Sequence, residues 1–377
     1  MTDTYRGTIY PHRGGRFRAQ GPERGPGTSK ICATWNEAVR FLRSLEAKDL
    51  SANGATEPWS RLITAWLADY AIKETTRHHY ESAVVRFVCT HPDGALQVNE
   101  LKPLHVDRAL NRAPTPSMML QLAKPLHGFF DWCEVNDYTT GNLYRRSQAE
   151  KMTKRADLEA RNNRRPKQVW TAEQFRRFWK AEKDPVRRDL WWTLATTATR
   201  DGEGIGLTWP NVQLDHNTAK VADNLAYAGK VHNTGSPKNG LHRDIYLGKH
   251  TVAILRARQK EQEAYRERFE AWDPAGWVFD RRRTAKGQAK PGIHLHPNTV
   301  MNAFNRLQGR LALPCLDGPH GLRRTWATLA DRELGIREAV RRRFLGQAAD
   351  THSRYTIVET AELLTAATAM EELLLSS

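Results

Sequence analysis

The sequence predicts a mainly α-helical fold with small β-sheets, an α+β chain divided into several units. Two observations predict it. Apolar residues recur at helical spacing through most of the 377 residues, and short strand-like stretches occur near the N-terminus and between 218 and 247. At roughly 150 residues per domain, two or three domains with cores of their own are expected.

The chain is strongly basic, with 58 Lys and Arg against 42 Asp and Glu and a formal net charge of +16. This balance predicts a polyanionic partner, and nucleic acid is the first candidate.

No apolar run approaches the ~18 residues of a spanning helix and no apolar signal core begins the chain, so we expect a soluble intracellular protein without a membrane partner. Four scattered cysteines argue against a disulfide framework or a zinc module.

The first predicted unit, residues 1–49, is basic and combines strands with a helix. TIYPHRGGRFRAQ predicts two strands around a turn at Gly14 and Gly15. An amphipathic helix is predicted from Thr34.

A helical unit is predicted over 57–150, with helices at 103–112 and 116–136 among its elements. Its aromatic residues form stripes at helical spacing, which are typical of a core rather than of a base-stacking surface. Residues 151–170 are predicted to form a basic interdomain linker, because basic residues dominate 145–167 and no apolar stripe is sustained there. Such a linker is either a solvated connector or a strap on phosphates.

A third unit is predicted over 171–358. Thr171 and Gln174 fit a capping box, residues 185–207 continue as helix, 218–247 form strands, and the chain from 251 is mainly helical. The final segment, 359–377, predicts a helix with an apolar face and four Glu but no Lys or Arg after position 355.

Common catalytic and cofactor patterns are missing from the sequence. There is no phosphate-binding GxxxxGK[ST] loop, dinucleotide-binding GxGxxG, HExxH or GxSxG. His294 and His296 have no acidic or cysteine neighbour, so a strand or turn position is favoured over a metal site. We therefore expect neither a cofactor nor a metal.

Three segments carry the residues that predict chemistry. TTATRDGEGIGLTW contains Arg200, PHGLRRTW contains His320 and Arg323, and FLGQAADTHSRY contains Gln347 and Tyr355. Their order resembles the signature of the tyrosine recombinases, the phage integrase family. That signature is an Arg followed by x-G-E and L-x-W, then H-x-x-R, then L-G and a Tyr near the C-terminus. Each segment is weak alone, whereas the ordered set is specific. The resemblance is sharpest over 171–358.

These residue types suit cleavage of a phosphodiester. The guanidinium groups of Arg200 and Arg323 match two phosphate oxygens and stay charged. Tyr355 is the predicted nucleophile, because a cationic setting favours ionisation of a phenol whose ordinary pKa is ~10. Its attack gives a 3′-phosphotyrosyl link and a free 5′-hydroxyl, and the 5′-hydroxyl of another strand reverses the step.

The remaining roles follow from the same chemistry and from the resemblance. Lys238 is the candidate general acid for the leaving 5′-oxygen, because it lies in the predicted hairpin where the family places its lysine; Lys230 is the alternative. His320 is expected to hydrogen-bond the scissile phosphate or to shuttle the nucleophile's proton. Glu203 is expected to be structural, holding a helix start or Arg200.

The third segment departs from the family pattern. Gln347 occupies the position where the family usually has His or sometimes Trp, and the gap to Tyr355 is one residue shorter. An amide donates a hydrogen bond but carries neither charge nor proton, so His352 is an alternative. Two other functions stay open: a catalytically impaired DNA-binding regulator or excision cofactor, and a type IB topoisomerase-like relaxing enzyme.

The resemblance implies a site-specific DNA recombinase that integrates a viral genome or another mobile element, in the cytoplasm of a bacterial host. Its implied partners are double-stranded DNA, a homotetramer on synapsed DNA and accessory DNA-bending proteins. It implies an arm-site-binding domain at 1–49, a helical core-DNA-binding domain at 57–150 and a mixed α/β catalytic domain at 171–358. The helix at 359–377 is implied to dock on a neighbouring protomer; packing on its own unit is the alternative.

Overall fold

The computed structural model is mainly helical with small antiparallel sheets, which confirms the predicted fold class. Its chain forms two compact units, Met1–Arg165 with Ala228–Val231, and Pro166–Tyr227 with His232–Ser377. None of the helices in the described part of the chain combines the length and apolar character needed to cross a membrane. The structure describes residues 7–21, 27–35, 37–42, 45, 54–163, 166–222, 224–228, 231–235, 242–267, 272–283, 289–347 and 357–376.

A three-stranded antiparallel sheet begins the first unit, with β1 (Thr8–His12), β2 (Arg16–Gln20) and β3 (Ser29–Cys32) in that order. Gly14 and Gly15 join β1 to β2 at φ values of 72° and 70°, conformations that glycine adopts without steric cost. The predicted hairpin is therefore confirmed. Residues 37–42 are helical, and Ala38 and Leu42 form a small core with Ala19 and Cys32.

Helices form the rest of the first unit around a separate core that includes Trp59, Phe129 and Phe130. The longest helix of this unit has Thr115 as its N-cap residue, whose side chain accepts a hydrogen bond from the Met118 N–H. Its first helical residue is Pro116. The helices predicted at 103–112 and 116–136 are confirmed. The elements are α1 (Trp59–Asp69), α2 (Glu74–Val84), α3 (Pro103–Asn111), α4 (Pro116–Val135), α5 (Leu143–Arg146) and α6 (Ala149–Asn162).

The segment predicted as a linker, 151–170, differs from the expectation. Most of it belongs to α6, which packs against α4 and buries Ala149 and Ala156. Small alanines seven positions apart give a narrow apolar stripe, which the surrounding basic residues conceal in the sequence. The first unit accordingly includes α6, beyond the predicted boundary at residue 150.

The second unit surrounds one core that includes Trp191, Phe304 and Trp326. The capping box of Thr171 and Gln174 and the strands between 218 and 247 are confirmed, whereas a two-stranded sheet after residue 251 was not predicted. The elements are α7 (Ala172–Ala181), α8 (Pro185–Thr197), α9 (Asp201–Ile205), β4 (Val212–Gln213), β5 (Thr218–Val221), β6 (Asn224–Ala228), β7 (Val231–Gly235), β8 (Arg243–Tyr246), α10 (Lys249–Arg266), β9 (Asp280–Arg283), β10 (Ala289–His294), α11 (Pro297–Arg310), α12 (His320–Arg332), α13 (Glu338–Leu345) and α14 (Thr360–Leu375).

The final helix, α14, packs on its own unit and buries Leu363 and Met370 in the core. Its Glu371 is also buried, and the carboxylate accepts hydrogen bonds from the His250 and Thr251 N–H groups, each at 2.8 Å, at the start of α10. Free N–H groups at a helix start favour such a carboxylate. The packing agrees with the alternative that the sequence left open, and docking on a neighbouring protomer stays a prediction.

Candidate active site

Arg200 lies at the junction of α8 and α9, where Ala198 adopts a left-handed conformation with φ of 53°. The Arg200 N–H donates to Glu203 Oε2 at 2.9 Å, and its Nη1 donates to Glu203 Oε1 at 2.6 Å. The Glu203 carboxylate thus holds both the first turn of α9 and the guanidinium. This confirms the structural role expected for Glu203.

The glycine of the x-G-E motif permits a close approach of strand β6. A Cβ atom at Gly202 would lie 2.4 Å from Asn224 Oδ1 and 2.9 Å from the Leu225 carbonyl oxygen, both too close for a real contact. A side chain here would therefore displace β6 from the segment that carries Arg200.

Arg323 joins the three motif segments physically. It lies on α12 and is 7% exposed. Its Nη1 donates to the Ala198 carbonyl oxygen at 2.7 Å, and its Nη2 donates to the Leu345 carbonyl oxygen. Because Ala198 precedes Arg200 and Leu345 precedes Gln347, one side chain holds the first and third segments together.

The electrostatic setting of Arg323 is unfavourable for its own charge. Burial, followed by the charges of Arg200 and Arg243, lowers the pKa of Arg323 to about 10, and Glu203 opposes this. The group remains charged at neutral pH. The negative charge of an anion bound beside it would offset the effect of both causes on the pKa of Arg323.

His320 is the first residue of α12 and is exposed to solvent. Loss of part of its hydration lowers the pKa of His320, as do the charges of Arg323, Arg324 and Arg200, whereas Asp201 raises it. The lowered pKa favours the neutral imidazole near pH 7, in which one ring nitrogen donates a hydrogen bond and the other accepts one.

The third segment ends helix α13 with Gly346, whose φ of 52° is the left-handed conformation that favours glycine after a helix. The Gln347 N–H donates to the Arg342 carbonyl oxygen at 3.1 Å, and Gln347 is exposed. The L-G pair therefore terminates the helix.

Arg243 on β8 is a member of the cluster that sequence reasoning missed. Its Nη1 and Nη2 donate to the two Glu203 oxygens at 3.0 and 2.6 Å, and its side chain is 12% exposed. Burial alone raises the pKa of Glu203, but hydrogen bonds and charge from Arg243, and then from Arg200, hold it at about 2. The only signal in the sequence was the strand pattern around Arg243, which indicates nothing about its partner.

The structure brings together Arg200, His320 and Arg323, with Gln347 following the backbone that Arg323 holds. The predicted Lys238, its alternative Lys230, His352 and the predicted nucleophile Tyr355 lie outside the described residues. They remain predictions.

The histidines of the IHLHP motif take the strand and turn positions expected of them. His294 ends β10, and the His296 ring accepts a hydrogen bond from the Asn298 N–H at the start of α11. Within the described ranges, no three His, Cys, Asp or Glu residues group as metal ligands.

The cluster is suited to binding an anion. Three guanidinium groups, from Arg200, Arg243 and Arg323, face one buried carboxylate, which leaves an excess of two positive charges. Arg200 keeps 28% of its side chain exposed and is accessible to a ligand. Fork-shaped cations of this kind match the oxygens of a phosphate.

No known protein-family profile and no curated protein matches this sequence. Solved structures do match in fold. The integrase of transposon Tn1549, in complex with circular intermediate DNA, superposes with a TM-score of 0.59 at 15% identity over 84% of this chain and 99% of its own.

Two structures of lambda integrase are similar as well. A dimer bound to a COC′ core site gives a TM-score of 0.56 at 14% identity over 93% of this chain and 97% of its own. A tetramer bound to a Holliday junction gives a TM-score of 0.53 at 15% identity, over 93% of this chain and 98% of its own. The chain therefore has the fold of the tyrosine recombinases, as the three ordered segments predict.

Proposed function

We propose that this protein is a site-specific DNA recombinase of the integrase type, which cleaves and rejoins DNA strands through a tyrosine. The observation that carries the proposal is the position of Arg323. Its side chain binds the backbone before Arg200 and the backbone before Gln347, so the described parts of the three motif segments meet in one basic cluster. The likeness in fold to two integrases supports the same conclusion.

In the proposed reaction, Arg200 and Arg323 bind the non-bridging oxygens of the scissile phosphate and stabilise the charge that develops in the transition state. The Tyr355 oxygen attacks phosphorus, its proton passes to the free ring nitrogen of His320, and the bond from phosphorus to the 5′-oxygen breaks. Neutral His320 and the Gln347 amide hydrogen-bond the phosphate, and Lys238 donates the proton to the leaving 5′-oxygen. A 5′-hydroxyl from another strand reverses the sequence.

The proposed substrate is duplex DNA within an assembly of several protomers. The net charge of +16 supports a polyanionic partner, and lambda integrase is known as a dimer and a tetramer on DNA. In the first unit, Tyr10, Arg18 and Ile31 face one another across the outer side of the sheet, a surface suited to DNA. We propose that residues 1–49 contact arm-type sites, 57–150 contact core sites, and accessory bending proteins assist.

A covalent-trapping assay tests the proposal. The full chain is incubated with a pool of randomised duplexes that each carry one nick, so that the short strand released by cleavage diffuses away and rejoining stops. We expect a protein–DNA adduct that survives denaturation. Tyr355→Phe removes only the nucleophilic oxygen, so it is expected to abolish the adduct and to retain DNA affinity.

Other outcomes of the assay would contradict recombination. Tight binding to particular sequences without an adduct would support the DNA-binding regulator instead. Efficient relaxation of supercoiled plasmids selected to lack the preferred sequences would support a topoisomerase.

A further inference from the structure

Arg243 is a half-buried arginine, with 12% of its side chain exposed, for which the proposed reaction has no role. It lies on β8, forty residues from Glu203, and binds both oxygens of that carboxylate through two guanidinium nitrogens. Its Nε atom is buried and has no hydrogen-bond partner among the described residues. A buried polar atom without a hydrogen bond costs free energy, so the hydrogen bonds that the rest of the Arg243 side chain makes are expected to matter.

We propose that Arg243 is a positioning residue for DNA cleavage: it fixes the Glu203 carboxylate, which in turn fixes Arg200. This inference rests on the proposed function. The carboxylate shares Oε1 between Arg200 Nη1, at 2.6 Å, and Arg243 Nη1, at 3.0 Å. The second hydrogen bond of Arg243 is to Oε2, so Arg243 on β8 fixes the plane of the Glu203 carboxylate. The carboxylate in turn holds the Arg200 guanidinium in one orientation.

Arg243 also lies against the third motif segment. A Cβ atom at Gly346 would be 2.5 Å from Arg243 Cδ and 2.9 Å from its Nε, so the side chain occupies the space that glycine leaves open. Gly346 directly precedes Gln347. One side chain thus supports both Arg200 and the turn that leads to Gln347.

The planar fork of arginine is required for this role. It makes two parallel hydrogen bonds to a carboxylate, whereas lysine offers a point charge without a fixed orientation. Without the fork, Glu203 keeps only its bonds to Arg200 and is free to rotate with it. A displacement of about 1 Å in a group that binds the reacting centre costs about 10²-fold in rate.

The test measures single-turnover adduct formation on the nicked-duplex pool by the full chain. We expect Arg243→Gln to lower the cleavage rate about 10²-fold and to leave DNA affinity nearly unchanged, because many phosphate contacts elsewhere supply affinity. Arg243→Lys, a milder change that keeps the charge, is expected to slow cleavage as well. In an Arg200→Lys background, the further effect of Arg243→Gln is expected to shrink to a few-fold, since its effect passes through Arg200.

Arg258→Gln is the matched control. Arg258 is a buried arginine of the same unit that pairs with Asp189 at 2.9 Å. Its loss is expected to lower the unfolding temperature while the folded protein cleaves at the wild-type rate. Circular dichroism of every variant identifies the folded fraction to which the rates refer.

The outcomes separate this inference from the proposed function. No adduct from the wild-type chain would refute the proposed function. An adduct from the wild type together with an unchanged rate for Arg243→Gln, or an equal loss in both backgrounds, would overturn the positioning role alone.

Discussion

Replacement of Glu203 by Gln tests whether a single buried carboxylate organises the candidate site. The Glu203 side chain is 1% exposed and pairs with Arg200 and Arg243, each at 2.6 Å. Removal of one partner from a buried ion pair typically costs about 3–5 kcal/mol. The pKa gives a second figure: its fall from 4.5 to about 2 corresponds to about 3 kcal/mol at ~1.36 kcal/mol for each pKa unit. We therefore expect the substitution to lower the free energy of unfolding by about 3 kcal/mol at pH 7.

The pH dependence of this difference follows from the direction of the pKa change. A carboxyl group whose pKa is lower in the folded state stabilises the protein above its unfolded pKa, and the contribution is lost as the pH falls through the folded pKa. The difference between wild type and Glu203→Gln is thus expected to be full at pH 7 and to shrink between pH 4.5 and about 2.

Hydrogen exchange read by mass spectrometry measures this directly. Peptides that cover 186–207 report the free energy of opening in the second unit separately from the first. Two results would refute the reasoning: a difference below about 1 kcal/mol at pH 7, which is the range of an exposed ion pair, or a difference that persists unchanged at pH 2.

Two further predictions concern stability. Thr171→Ala is expected to cost about 1 kcal/mol, because the hydroxyl accepts the Gln174 N–H at 3.2 Å, and unchanged thermal unfolding would contradict it. Glu371→Ala is expected to lower the free energy of unfolding by about 1.5–3 kcal/mol, because the Thr251 N–H loses a charged acceptor at 2.8 Å. The same change is expected to expose α14 to limited proteolysis. A C-terminus as resistant to the protease as that of the wild type would show that Glu371 does not hold the helix.

Much of the candidate site was visible in the sequence because its parts depend on local rules. The x-G-E motif places Glu203 three residues after Arg200, the spacing of a helix cap, and H-x-x-R places Arg323 one turn after His320 on α12. Arg243 was not visible. Its partnership with Glu203 spans forty residues and depends on how β8 lies beside α9, which no local pattern encodes.

The errors in the fold have similar causes. Helix α6 was interpreted as a linker because its buried face consists of small alanines rather than large apolar residues. The β9–β10 sheet was missed because DRRR and AKPGIH carry charges, proline and glycine in place of alternating apolar residues. For α14, the apolar face was predicted, but the buried bonds of Glu371, which fix it on its own unit, depend on the tertiary position of α10.

The central claim is that Tyr355 becomes esterified to a cleaved DNA strand, and peptide mapping of the trapped complex tests it most directly. After nuclease and protease digestion, mass spectrometry is expected to find a nucleotide attached through its 3′-phosphate to the peptide that contains Tyr355. Attachment at any other residue, a 5′-phosphate link, or no modified peptide from a chain that binds DNA would contradict the claim.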